Sequence, residues 1–164
     1  MSENQTYVTG WQTAIHRKGS SLPIKWLAAH EDLAQGNRTL DYGCGRGTDA
    51  KQYGWLKWDP FYSPVPDFGI TCQTSPRRHF DTVLCTYVLN ILPPEERVKT
   101  FENIERLLTQ EGLAYFTVRR DINAAQQGRG CIQRYISLPW TSIRRTPGYQ
   151  IYRASAADIR EHMQ

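Results

Sequence analysis

Arg38-Thr39-Leu40-Asp41-Tyr42-Gly43-Cys44-Gly45-Arg46-Gly47 is the stretch on which the fold turns. Arg38 to Tyr42 reads as a short strand, and it runs directly into three glycines at alternate positions. Glycine has no Cβ, so such a bend can take positive φ and bring backbone amides close to a ligand. The polar run Thr48–Tyr53, closed by Gly54, predicts a short helix. Trp55-Leu56-Lys57-Trp58 predicts a second strand that ends at Asp59-Pro60.

The pattern extends outward from this unit. Upstream, Ser20 or Ser21 opens a predicted helix reaching Ala34, with Pro23 in its first turn, an apolar stripe of Leu22, Trp26, Leu27 and Leu33, and Gly36 beyond it. Downstream, four prolines between 60 and 76 predict mostly loop, with a brief strand near Phe68–Cys72. Phe80–Tyr87 has the pattern of a buried strand, and Pro93-Pro94-Glu95-Glu96 opens the clearest helix. Val98, Phe101, Ile104, Leu107 and Leu108 keep helical spacing there, and Gly112 falls just past the expected end. Leu113–Val118 predicts another strand. Cys131–Leu138 and Tyr149–Tyr152 predict a strand pair joined through Pro139 to Gly148. Strands alternating with helices imply an α/β fold with a mostly parallel sheet, to which the last pair adds an antiparallel edge.

At 164 residues the chain suits a single domain. Within it, 1–19 read as an N-terminal extension or lid, 20–118 as the ligand-binding half and 119–164 as a basic C-terminal part. No stretch approaches the roughly 18 apolar residues of a membrane span, and the first six residues are polar, so a cytoplasmic protein with no membrane partner is expected. Cys44, Cys72, Cys85 and Cys131 form no close pair, which argues against zinc and for reduced thiols. Charge is regional. From Leu113 to Arg153 there are seven arginines, no lysine and one acid, Asp121, so that segment carries +6 in a chain of net +4.

Ligands of open α/β sheets collect at the carboxyl ends of the strands, beside the first strand-to-helix turn. Asp41 stands at that strand end, two residues before the first glycine, and Asp59 follows the next strand 18 positions later. An acid so placed can accept both hydroxyls of a ribose, which implies a nucleoside-bearing cofactor. A dinucleotide fingerprint would need glycine where Thr48 stands, and no GxxxxGK run offers a phosphate-cradling loop. What remains, Asp-x-Gly-x-Gly-x-Gly with no phosphate to neutralise, suits the sulfonium, amino-acid and ribose parts of S-adenosylmethionine (SAM). No metal ligand set is found.

Leu40–Gly47 resembles motif I of the class I SAM-dependent methyltransferases, and Asp59 resembles their acidic motif II residue. Phe80–Pro93 is similar to their fourth strand and following loop, and Leu107–Phe116 to their helix, glycine and fifth strand. His16-Arg17-Lys18, Trp58–Tyr62, Val118–Ile122, Arg129-Gly130 and Gln133-Arg134 resemble small bacterial and phage methyltransferase-like proteins. The resemblance covers about residues 13–153 and implies a three-layer Rossmann-like sheet. It also implies a cofactor set of Asp41, Tyr42, Gly43, Cys44, Gly45, Gly47, Asp59, Pro60 and Thr86. The helix after Gly47 is shorter than usual for that family, and the third strand is weak, so no adenine partner is assigned.

Methyl transfer from a sulfonium is an in-line displacement that orientation alone can accelerate strongly, so a dedicated base is not obligatory. The acceptor is expected near the end of the Phe80–Tyr87 strand, beside Thr86, Tyr87 and Asn90. Tyr87 suits a cavity wall, Asn90 an acceptor amine or a loop cap, and His16 is the candidate base. Arg17 and Lys18 are positioned to fold over the cofactor or meet an acidic substrate, as are Arg119 and Arg120 at the end of the next strand. Asn90 is followed by Ile91 rather than Pro-Pro-Tyr, and no Pro-Cys pair occurs, which disfavours DNA amino- and C5-cytosine methylation. Arginines interleaved with Tyr135, Trp140, Tyr149 and Tyr152 suit phosphates and bases, which places nucleic acid slightly ahead of a small molecule as acceptor. A SAM-binding module without transfer is the alternative.

Overall fold

The computed structural model describes residues 14–60, 77–122, 127–128 and 131–163. Strands β1 (Thr39–Tyr42), β2 (Leu56–Trp58), β3 (Phe80–Thr86), β4 (Leu108–Arg119), β7 (Thr141–Arg145) and β8 (Tyr149–Ser155) form one sheet in the order β2-β1-β3-β4-β8-β7. The first four are parallel, while β8 pairs antiparallel with both β4 and β7. A separate two-stranded piece pairs β5 (Gln127–Gly128) with β6 (Cys131–Ile132). This is the mixed α/β architecture that the alternation predicts.

Two cores sandwich the sheet. On one face α3 (Pro94–Leu107) and α4 (Ala156–His162) bring Phe101, Ile104 and Ile159 against Leu40, Tyr42, Val83, Cys85 and Phe116. On the other, α1 (Leu22–His30) and α2 (Thr48–Tyr53) bring Ile24, Leu27 and Ala50 against Leu84, Tyr115 and Ile151. Alternate residues of each strand serve alternate faces, the two-residue period of a pleated strand. Among the described residues no helix is long and apolar enough to cross a membrane.

Several boundaries differ from expectation, each for a local reason. Helix α1 stops at His30 rather than Ala34 because Glu31 turns extended, and its carboxylate then accepts from the Tyr115 hydroxyl at 3.0 Å. Ser21 does not cap α1 with its side chain; its hydroxyl donates to Asp49 instead. Gly112 lies inside β4, where a Cβ would stand 2.8 Å from the Phe80 carbonyl oxygen, so it permits a close strand approach rather than ending a helix. The hairpin partner of β8 is Thr141–Arg145, not Cys131–Leu138. Residues 133–138 bury Ile136 and Leu138 without forming a strand, whereas the polar edge strand turns only Ile143 partly inward. The α4 helix escaped the hydrophobic period, although Ser155 and Asp158 build a complete capping box at its start. The expected strand near Phe68–Cys72 lies outside the described residues.

Candidate functional site

The glycine bend joins β1 to α2 at the carboxyl edge of the sheet. Gly43, Gly45 and Gly47 all take left-handed φ, at 71°, 53° and 69°. Gly43 and Cys44 donate their amides to the Trp58 carbonyl at 2.7 and 3.3 Å, which ties the bend to the end of β2. Asp59, buried beside it, accepts from the Gly45 amide at 2.9 Å. The two ends that the sequence brackets 18 positions apart are thus clasped together, with Pro60 exposed at the rim.

Asp41 points to the α2 side and is 4% exposed. Burial above all, then the nearby carboxylates of Asp49 and Asp59, push its pKa up to about 8, against the Ala50 amide and the Arg17 guanidinium. Burial and the same Asp41 and Asp59 charges raise the Cys44 and Cys85 thiols well above their ordinary range, so neither is a ready thiolate nucleophile. The Tyr42 ring faces the other core, 5.0 Å from the Trp58 ring and within reach of Asn103, so Tyr42 offers a ligand only its backbone.

Asp49 is the residue that sequence reasoning missed. An acid in the first turn of α2 was the available signal. Its two oxygens accept from the Ser21 amide at 2.8 Å and the Ser21 hydroxyl at 3.2 Å, while Gln52 accepts from Ser20. These bonds lay the segment from Ala14 to Ser21 across the bend, with Ala14 packed against Gly45. Arg17 on that segment sits 3.7 Å from Asp49 and 5.8 Å above the centre of the Tyr87 ring. His16 and Lys18, its neighbours, are exposed.

Tyr87 follows β3 with φ of 61°, the one non-glycine described residue in the left-handed region. Such a conformation costs on the order of 1–3 kcal/mol and persists only when surroundings enforce it. Here the Tyr87 amide is held by the Thr117 carbonyl at 2.9 Å. Burial pushes the Tyr87 phenol up to about 12, so at neutral pH it is a donor, not a base. Asn90 is 1% exposed and committed to backbone: its amide group donates to Arg134 at 2.8 Å, and its oxygen accepts from the Arg119 amide at 2.8 Å. Arg119 forms a two-pronged pair with Asp121 at 3.0 and 2.9 Å, and Arg120 donates to the Thr146 carbonyl. The structure therefore gathers Asp41, Asp59, the glycines, Arg17, Thr86 and Tyr87 along one edge. It turns Asn90, Arg119 and Arg120 toward internal partners.

The residues present fit a cationic nucleoside cofactor on physical grounds. Three acidic side chains, Asp41, Asp49 and Asp59, lie close together at the bend with Arg17 and Lys57 beside them, and a bound sulfonium or ammonium would favour the ionised form of Asp41.

No protein-family model and no curated protein matches this chain. Among solved structures it is similar to the N-methyltransferase NodS from Bradyrhizobium japonicum WM9, with a TM-score of 0.51 and 14% identity over 80% of this chain and 90% of that one. The S-adenosyl-L-homocysteine complex of NodS gives 0.51 and 13%, over 80% and 82%. The magnesium protoporphyrin IX methyltransferase ChlM from Synechocystis PCC 6803, with bound S-adenosylhomocysteine (SAH), gives 0.51 and 16%, over 80% and 78%. At such identities the likeness is one of fold, and the fold is that of Rossmann-like methyltransferases.

Proposed function

We propose that the chain binds SAM at the carboxyl ends of β1 and β2 and transfers its methyl group to an acceptor seated over β3 and β4. The observation that carries this reading is the acid-rich bend itself: Asp41, Asp49 and Asp59 around three left-handed glycines, in a chain with no GxxxxGK run to cradle a phosphate. Asp41 and the backbone of Tyr42, Gly43, Cys44, Gly45 and Gly47 would hold the amino-acid and sulfonium end, and Asp59, flanked by Pro60, the ribose. Thr86 would close the site from β3. When bound, SAM supplies an already activated methyl group.

The chain's own part is placement. Arg17, Lys18 and the candidate base His16 arrive on the segment over the bend, and Tyr87 walls the acceptor side. Asn90 locks β4 to the loop before α3, and Arg119 and Arg120 border the same edge. A nucleic-acid acceptor is supported by Arg144 and Arg145, both exposed on edge strand β7. A SAM-binding module without transfer is supported by the commitment of Asn90 to backbone.

Isothermal titration of the full chain with SAM and SAH tests the core claim, and saturable binding is expected. Asp59→Ala should weaken it by about 1–3 kcal/mol, because hydroxyls buried against that carboxylate and the Gly45 amide both lose their partner. No saturable binding at millimolar ligand would refute the reading, and an unchanged affinity would refute the ribose role. A transfer screen with tritium-labelled SAM against DNA, RNA, protein and metabolites then separates enzyme from module.

A further inference from the structure

Two hydroxyls at the carboxyl edge of the sheet have no hydrogen-bond partner among the described residues. Thr86 ends β3, and Thr117 is its register partner on β4. Parallel neighbours in register send their side chains to the same face, about 4.8 Å apart. Leu84 and Tyr115, two positions earlier on each strand, both lie in the α1-side core, so both hydroxyls belong to that face. Both Oγ1 atoms are buried without a hydrogen-bond partner, and Thr117 is 0% exposed.

A single unpartnered hydroxyl is an ordinary imperfection. Two on the same face of adjacent strands, whose backbones run about 4.8 Å apart, are close enough to turn toward one shared polar atom and so form a receptor. Tyr87, the next residue after Thr86, packs against the same core. Over its ring lies Arg17, which makes no hydrogen bond among the described residues; its nearest carboxylate, Asp49, stands 3.7 Å away with both oxygens already accepting from Ser21. Each hydroxyl can donate as well as accept, but the under-committed guanidinium only donates, and the one partner that satisfies all three at once is an atom that only accepts.

We propose that Thr86 and Thr117 form the floor, and Arg17 the roof, of a subsite that takes the oxyanion of a small-molecule methyl acceptor. Naming that ligand the acceptor rests on the function proposed above; the oxyanion subsite itself does not. The hydroxyl of Thr117 fixes which end of the molecule enters, and Arg17 gives the entering oxygen its counter-charge. A carboxylate and a phosphate monoester share the chemistry required.

Threonine-methyl NMR of the full chain, with SAH present, tests this directly. Acetate, inorganic phosphate, uncharged acetamide and a short oligothymidylate are titrated in separate samples. Saturable shifts of the Thr86 and Thr117 methyls with acetate or with phosphate are expected, and the arm that responds identifies the source. Thr117→Val, equal in shape and free of the orphan hydroxyl, should fold as well as the parent and weaken the Thr86 response at least tenfold. Arg17→Gln should weaken it similarly while leaving both hydroxyls in place. The proposal is overturned if the methyls do not move, if acetamide moves them equally, if only the oligonucleotide does, or if neither substitution changes the affinity. SAH binding is read in the same samples by isothermal titration. Its absence alongside an intact acetate or phosphate response would remove the methyltransferase reading and leave the oxyanion subsite standing.

Discussion

The carboxyl edge of the sheet has two electrically different ends. At β1, β2 and the start of α2, Asp41, Asp49 and Asp59 lie close together, and burial first, then the other two carboxylates, push Asp41 up to about 8. At β4, β7 and β8 four arginines have found partners: Arg119 meets Asp121, Arg120 the Thr146 carbonyl, Arg153 the Glu31 carboxylate and Arg144 the Trp26 ring. Formal charge along the chain suggests the reverse emphasis, since the arginine-rich segment carries most of the imbalance. Folding brings Glu31 from a different element to meet Arg153, 122 positions away. Counting charges along the sequence cannot see that pairing. The buried acidic side chains of the molecule cluster at the bend, and function is best sought there.

The bend's geometry offers the sharpest way to break this contrast. A Cβ at Gly43 would lie 2.5 Å from the Val88 Cγ2, within a packed core, and φ is positive as well. A Cβ at Gly47 meets the Lys57 side chain at 2.8 Å, a flexible group that can swing aside. Gly43→Ala should therefore cost about 2–4 kcal/mol, combining the left-handed penalty with overpacking. Gly47→Ala should cost about 1–2 kcal/mol, from the backbone alone. Denaturant unfolding of both variants measures the difference, and equal losses would mean that the bend is less rigidly seated than its contacts indicate.

A pH effect is of comparable size. An unfolded chain releases the Asp41 proton near its ordinary 3.8, whereas the folded protein keeps it until about 8. Across that window the folded state binds more protons, so this residue makes stability fall as pH rises from about 4 to about 8, with no further slope above. Asp41→Asn removes the contribution, and its melting temperature relative to the parent should climb across that range. Binding of a sulfonium ligand to the parent should strengthen over the same range, because the cation favours the ionised carboxyl. A difference in melting temperature that stays flat with pH would dissolve the anionic cluster as an energetic unit.

How far these features can be read without coordinates depends on how local their causes are. The limits of α2 were legible because Gly47 and Gly54, both left-handed, bracket it in sequence as they do in space. Asp41 and Asp59 were legible because a strand end and its neighbour's end are a fixed topological distance apart. Asp49 was not, since nothing near it announces that Ser21, 28 residues earlier, will fold back onto it. Thr117 was invisible for the same reason, because its meaning lies in register with Thr86 across two strands. The misplaced partner of β8 shows the limit of hydrophobic alternation: Ile136 and Leu138 bury side chains without a ladder, while a genuine edge strand is almost wholly polar.

The smallest expected effect tests the other end of the comparison. Arg153 pairs with Glu31 at 3.3 Å, with side chains 41% and 16% exposed, and the same Glu31 oxygen accepts from the Tyr115 hydroxyl. A pair so open to solvent contributes little, because water screens the attraction and the arginine loses rotamer freedom to make it. Arg153→Gln should change unfolding free energy by less than about 1 kcal/mol, and SAM affinity not at all, since Glu31 retains Tyr115 as donor. Weakening of SAM binding by Arg153→Gln, or a stability loss beyond about 2 kcal/mol, would mean that charge organises the arginine-rich end as much as the bend. In that case the paired arginines, rather than the carboxylates, would set the field at the edge of the sheet.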